Sequence, residues 1–83
     1  MRGFAYEKYG NYELAIKDCS MVIELNPKDS IAYYIRGWLF GKKMEYQQAM
    51  DDFNKALNIN PQYAEAYCDR GTIYAKLLNY HDA

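Results

Sequence analysis

The sequence predicts an all-α protein built from repeated antiparallel helix hairpins. Two observations support this fold class. First, the chain repeats itself, because Asn26-Pro27 and Asn60-Pro61 lie 34 residues apart and the intervening pattern keeps the same register. Second, apolar residues recur at helical spacing between short segments rich in proline, asparagine and glycine. A period of this length indicates stacked structural units.

Equivalent positions of the repeat carry similar side chains. The matching sets are Arg2-Gly3, Arg36-Gly37 and Arg70-Gly71; Tyr6, Phe40 and Tyr74; Lys8, Lys42 and Lys76; Tyr12, Tyr46 and Tyr80; Ala15, Ala49 and Ala83; Asp18 and Asp52. These matches assign each predicted helix to a position in the repeat.

The first two helices are expected over residues 1–9 and 13–25, with a turn at Gly10-Asn11 between them. Asn26-Pro27 ends the second helix, because proline disfavours helical backbone at the residue before it. Ser30 can cap the third helix by accepting a hydrogen bond from a backbone amide.

The third and fourth helices, about residues 30–43 and 47–59, form the one complete hairpin. A fifth helix is expected over about residues 64–77, and residues 80–83 begin a sixth after Asn79. We therefore expect a single domain made of three parts: a partial unit (1–29), a complete unit (30–63) and a partial unit (64–83).

A glycine recurs in the middle of the first helix of each unit, at Gly3, Gly37 and Gly71. Each costs about 1 kcal/mol of helix propensity relative to alanine. A neighbouring helix that crosses close to the backbone, with Tyr or Phe filling the space, would explain the repetition. Within the complete unit, Arg36 and Asp52 either form an inter-helix salt bridge, bidentate if geometry allows, or remain two solvated charges.

The spacing of the complete unit closely resembles the tetratricopeptide repeat. The matching motif is Tyr33-x2-Arg36-Gly37-x2-Phe40, then Ala49-x3-Phe53, then Ala56 and Pro61. The flanking sequence repeats parts of this motif, so the resemblance covers nearly the whole chain, although arginine replaces the family's commonest leucine in every copy. The resemblance implies hairpins stacked into a right-handed α-solenoid, an α-α superhelix that serves protein–protein interaction.

Composition and motifs argue against other classes of function. A net charge of −1 provides no excess of basic side chains for a nucleic acid. No apolar run predicts a membrane span or a signal peptide, so the cytoplasm is the default location. Cys19 and Cys68 lack ligand-like spacing, and the only histidine, His81, lies in the terminal remnant. We expect no enzyme activity, no catalytic residue, no metal and no cofactor.

The third helix is apolar on two sides. Its inner stripe is Tyr33, Gly37, Phe40 and Met44, and its second stripe is Ile31, Tyr34, Ile35 and Trp38, with Lys42 one turn further on. A helix of this kind is buried on both sides or carries an exposed functional patch. In the family that the chain resembles, the first helix of each pair lines a concave face that commonly holds an extended peptide. The resemblance thus implies a partner-binding groove lined by Phe4, Ile31, Tyr34, Ile35, Trp38, Lys42, Glu65, Asp69 and Thr72.

The expected groove has acids at one end and a row of lysines, Lys8, Lys42 and Lys76, along a rim or simply solvated. Such a surface suits an apolar protein segment flanked by basic residues. Chaperone-binding members of the family hold a terminal carboxylate with Lys, Asn and Arg. Those places here hold Phe4, Ile35, Glu65 and Asp69, so binding of a chaperone tail is not expected.

Self-association is the alternative to an open groove. The first and last units are incomplete, so Tyr67, Tyr74 and Leu78 would be partly bare. Arrays of this type need about three units and a polar cap. We therefore expect one of three alternatives: a piece of a longer array, a regulatory repeat fragment of a larger protein, or a module that forms homo-oligomers, including helix-swapped ones.

Overall fold

Four α-helices make up the protein in this computed structural model, which describes the backbone of residues 2–82 and the side chains of residues 11–79. They are α1 (Arg2–Leu25), α2 (Ser30–Lys42), α3 (Tyr46–Ile59) and α4 (Ala64–Asp82). Helix α2 packs against α1 and α3, and α3 packs against α4. The described residues include no strand. The predicted all-α fold of helix-hairpin repeats is confirmed.

The predicted turn at Gly10-Asn11 is wrong, because α1 runs through it as one helix of 24 residues. In the repeat register, Gly10 matches Met44, which lies in the turn between α2 and α3. Folding back at Met44 buries the ring of Phe53 against Gly37. The equivalent of Phe53 in α1 is the smaller Cys19. A turn at Gly10-Asn11 would therefore bury less apolar surface than the turn at Met44 does. The backbone hydrogen bonds of a continuous helix are then the more stable alternative.

Two further boundaries differ from the prediction. Helix α4 continues through Asn79 to Asp82, so the expected start of a sixth helix is wrong. Asp29, not Ser30, caps α2, since its carboxylate accepts a hydrogen bond of 3.1 Å from the Ala32 amide. A carboxylate at this position also interacts favourably with the positive end of the helix dipole.

Met44 does not lie on the inner face of α2, contrary to the prediction. It adopts a left-handed conformation with φ 65° and its side chain is exposed. The turn is held by Lys43, whose ammonium group contacts Glu13 of α1 and lies 3.7 Å from Glu45. The hydrogen bond to Glu13 raises the pKa of Lys43. The turn is thus tied to the neighbouring unit.

The core lies between α2, α3 and α4. Its buried apolar residues are Ala32, Tyr33, Leu39, Ala49, Phe53, Ala56, Leu57, Ala66 and Ile73. Phe53 is almost fully buried, and a Cβ atom added to Gly37 would lie 2.9 Å from its ring. The expected close crossing at Gly37, filled by an aromatic side chain, is confirmed.

Arg36 links three helices. Its Nε and Nη2 atoms donate to the two carboxylate oxygens of Asp52 at 2.8 and 2.9 Å, which confirms the bidentate inter-helix salt bridge. Its Nη1 atom donates to the Ser20 hydroxyl of α1 at 3.0 Å. The hydrogen bond to Asp52 raises the pKa of Arg36, so the guanidinium group keeps its charge.

The contact between α3 and α4 repeats the contact between α1 and α2. Arg70 donates to the Asn54 side chain at 2.8 Å, and these residues match Arg36 and Ser20 in the register. The stacking of units is therefore periodic in three dimensions as well as in sequence.

Candidate functional site

A hollow of about 330 Å³ lies where α2 crosses α4. It is lined by Trp38, Gly41, Lys42, Met44, Tyr46, Phe53, Asp69, Thr72, Ile73 and Lys76. We call it the α2–α4 cavity. It brings together four of the residues predicted for the groove, Trp38, Lys42, Asp69 and Thr72. Its lining combines an apolar wall with one acidic and two basic side chains.

Trp38 is the most prominent side chain of the α2–α4 cavity. It is the only tryptophan of the chain, and 42% of its surface is exposed. The Lys42 ammonium group lies 5.0 Å from the centroid of its ring, within the range of a cation–π interaction. The ring is thus oriented by a neighbour on the same helix while its remaining surface faces the solvent.

Tyr34 does not line the cavity, but it contacts two residues that do, Asp69 and Phe53. Its hydroxyl donates a hydrogen bond of 2.5 Å to the Asp69 carboxylate, which ties α2 to α4. Its ring packs against Phe53 and Tyr63, with centroids 5.7 and 5.0 Å away. Burial and the hydrogen bond to Asp69 raise the pKa of Tyr34. The hydroxyl therefore keeps its proton and holds Asp69 in a fixed position.

Ile31 and Ile35 line a different hollow, of about 260 Å³, between α1 and α2. The rest of that lining is Asp18, Cys19, Val22, Asp29 and Ala32. The surface predicted as one groove is thus divided between two hollows. Glu65 is exposed at the start of α4 and lines neither of them. The side chains of Phe4 and Lys8 lie outside the described residues.

Tyr46 and Ile73 line the cavity, although neither was predicted as a residue of the site. The recurrence of tyrosine at Tyr12, Tyr46 and Tyr80 is the signal that could have identified Tyr46. No comparable signal exists for Ile73, because its place in the lining depends on how α4 crosses α2.

The site offers side chains that are suited to binding. Among the side chains of residues 11–79, no group of three or more His, Cys, Asp or Glu residues could hold a metal ion. Burial raises the pKa of the Cys19 thiol, which disfavours the reactive thiolate. Aromatic, basic and acidic side chains around a shallow hollow are typical of surfaces that bind a protein segment.

No helix within residues 2–82 is long and apolar enough to cross a membrane.

Two models of one protein family match the chain. A model described as TPR repeat matches residues 42–77, and a model described as tetratricopeptide repeat matches residues 1–29. Comparison with curated protein sequences gives no match.

A solved structure shares the fold. It is the complex of the TPR2B domain of yeast Sti1 with pHsp70, and it superimposes with a TM-score of 0.80 at 26% sequence identity. The alignment covers 96% of this chain and 64% of the Sti1 chain, so the protein spans less than two thirds of that structure. Family models and fold agree.

Proposed function

Since the chain belongs to the tetratricopeptide repeat family, we propose that it is a protein-binding scaffold that holds an extended partner segment in the α2–α4 cavity. Trp38, Lys42, Asp69 and Thr72 would contact the segment. Tyr34 acts through Asp69, which it positions. The scaffold needs no catalytic residue and no cofactor, and we also propose a cytoplasmic location.

The observation that carries this proposal is the exposure of Trp38. A large aromatic side chain that is only partly buried is the type of residue that dominates binding energy once a partner covers it. Trp38 contacts Lys42 and lies among the other lining groups of the α2–α4 cavity, whereas the exposed apolar residues of α1, such as Leu25, do not line it.

Charge suggests what the partner segment looks like. Asp69 lies in the cavity and Glu65 is exposed one turn earlier on α4. A basic side chain next to an apolar core of the segment would pair with these acids. Lys42 and Lys76, at the other end of the cavity, would donate hydrogen bonds to a carbonyl group or an acidic side chain. We therefore propose an apolar segment with a flanking basic residue as the ligand.

The similarity to the Sti1 domain in complex with pHsp70 supports a protein partner for this fold. A chaperone tail is still not the ligand that we propose. The carboxylate at the end of such a tail would face Glu65 and Asp69, and like charges placed together cost several kcal/mol. Ile31 and Ile35, the predicted groove residues outside the cavity, would extend the binding surface only if the segment crossed towards α1.

The test uses Trp38 as the reporter. Three peptides share one length: an apolar core flanked by arginines, the same core flanked by glutamates, and an acidic tail with a free terminal carboxylate. We expect only the first to shift the Trp38 emission to shorter wavelength with saturation. Binding of the acidic peptides alone would contradict the proposed partner chemistry. Binding of none of the three would contradict the proposed use of the cavity.

Trp38→Ala provides the mutational test, with the labelled arginine-flanked peptide followed by fluorescence polarisation. We expect affinity to fall about thirtyfold, equivalent to about 2 kcal/mol, with unchanged helical content. Leu25→Ala removes an exposed apolar side chain outside the cavity and is the matched control. Undiminished binding by Trp38→Ala, or equal loss in both variants, would reject the cavity as the site.

A further inference from the structure

One face of α4 is not covered by another helix within the described residues. Tyr67 and Tyr74 are 47% and 56% exposed, and nothing lies within 4 Å of a Cβ atom added to Gly71. The matching residues of α2 are Tyr33, Phe40 and Gly37, which pack against α3. The hollow over this face is lined by Met50, Asn54, Tyr67, Arg70, Gly71 and Tyr74. We call this surface the open α4 face.

A second open surface lies on α1. In the repeat register, the residues of α3 that are buried beside α2, including Ala49, Asp52, Phe53 and Ala56, correspond to residues of α1 that are exposed or half-buried. The corresponding residues are Ala15, Asp18, Cys19 and Val22. The hollow that contains Ile31 and Ile35 adjoins them. We call this surface the open α1 face.

Each open face carries the equivalent of one partner of the ion pair between α2 and α3. Arg36 pairs with Asp52 between α2 and α3. Arg70, the equivalent of Arg36, donates to the neutral Asn54 and makes no ion pair with a described carboxylate. Asp18, the equivalent of Asp52, is exposed on α1. A helix that places Asp18 over Arg70 would complete the pattern.

We propose that α4 of one copy packs against the second half of α1 of another copy, in the arrangement that α2 and α3 adopt within one chain. Asp18 of the second copy then pairs with Arg70, and its Cys19 lies over Gly71, as Phe53 lies over Gly37. The fit follows from the register, because the repeat makes α1 an equivalent of α3 and α4 an equivalent of α2.

The continuous backbone of α1 keeps its face open within the described residues. Arg2–Leu25 form one helix, so no part of α1 folds back over Asp18 and Cys19. Each copy offers a different face to each neighbour, so the contact is head-to-tail and generates a ring or a chain of copies. This inference goes beyond the proposed partner binding, because neither open face includes Trp38 or Lys42.

The first test is the mass of the 83-residue protein by sedimentation over a wide concentration range. We expect the mass to rise above that of the monomer, towards a fixed value for a ring or without limit for an open chain. A monomer at all concentrations would overturn the proposal and leave the open faces to another occupant, such as a further repeat or a different protein.

Charge reversal identifies the contact. Arg70→Asp and Asp18→Arg each place like charges together, so each should move the association midpoint to at least about tenfold higher concentration. An equimolar mixture of the two variants regenerates opposite charges at every contact and should restore association, as should the double variant. Association of either single variant at the parental midpoint, or a mixture that stays monomeric, would overturn the proposal.

Two control variants match these charge changes. Lys17→Asp changes the charge by as much as Arg70→Asp, and Asp51→Arg by as much as Asp18→Arg. Lys17 and Asp51 share one register position, and Asp51 stays exposed although α3 has helices on both sides. Both controls should associate like the parent. Loss of association in the controls equal to that in the test variants would reject the specific pair.

Gly71→Leu tests the close approach of the second helix without changing charge. The new side chain would occupy open space in the monomer, so the helical content should be retained while association is lost. Association of Gly71→Leu at the parental midpoint would contradict the proposed packing.

Discussion

Helices α2 and α4 carry the same repeat pattern in different surroundings. Tyr33 of α2 is 8% exposed, whereas its equivalent Tyr67 is 47% exposed. Gly37 lies against the ring of Phe53, whereas Gly71 faces open space. Arg36 donates hydrogen bonds to the Asp52 carboxylate, whereas Arg70 donates one to the Asn54 side-chain amide oxygen. The repeat pattern therefore determines which face of a helix can pack against a partner helix. Whether that face is buried depends on whether a partner helix is present.

Substitution of the matching arginines of α2 and α4 is expected to give the largest difference in the free energy of unfolding. Arg36→Ala leaves the buried Asp52 carboxylate without its partner and should lower the free energy of unfolding by about 3 kcal/mol. Arg70→Ala removes a more exposed hydrogen bond and should cost less than about 1 kcal/mol. Urea unfolding of dilute protein, followed by circular dichroism, measures both. Equal losses would contradict the comparison.

Alanine substitutions at the matching glycines of α2 and α4 should change the stability of the fold in opposite directions. Gly37→Ala places a Cβ atom 2.9 Å from the buried Phe53 ring and 3.1 Å from the Asp52 Cβ atom, which should destabilise the fold by about 1–2 kcal/mol. Gly71→Ala meets no atom and removes the propensity cost of glycine, so it should stabilise the fold by up to about 1 kcal/mol. Thermal unfolding of both variants at low concentration provides the measurement. A gain in stability for Gly37→Ala would refute the close crossing.

The smallest effect is expected for tyrosine hydroxyls. Tyr34→Phe removes the hydrogen bond to Asp69 and should cost about 1 kcal/mol. Tyr74→Phe, at an exposed side chain of α4, is the control and should change stability little.

The same hydrogen bond predicts a pH dependence. Burial and Asp69 raise the pKa of Tyr34 in the folded protein, so its contribution is complete below the pKa of an unfolded tyrosine, about 10, and is lost as the pH rises above it. Urea unfolding between pH 8 and pH 11 should show a shallower alkaline loss of stability for Tyr34→Phe than for the parent. Parallel profiles would contradict the role of the hydroxyl.

The sequence predicted the packing of the middle unit because the repeat encodes it directly. Gly37, Arg36 and Asp52 recur by type and spacing, and each meets the partner that the register assigns. The local turn signal at Gly10-Asn11 failed for a physical reason. A turn forms where folding back buries apolar surface, as at Met44. The apolar surface buried there offsets the cost of the left-handed backbone of Met44.

The candidate site was less predictable than the fold. Trp38, Lys42, Asp69 and Thr72, which the register placed on α2 and α4, line one hollow, and their role in binding stays a prediction. It could not show that Ile31 and Ile35 line a separate hollow, because that depends on the course of α1. Partner choice stays a prediction, since the motif residues determine the scaffold and few others contribute to recognition.

Amide hydrogen exchange of α2 and α4 across a dilution series tests the central claim most directly. The amides of α4 should exchange faster than those of α2 in dilute protein, since one face of α4 is open, and should gain protection as the concentration rises, while those of α2 change little. Equal protection of the two helices in dilute protein, or an α4 whose exchange does not depend on concentration, would contradict the account.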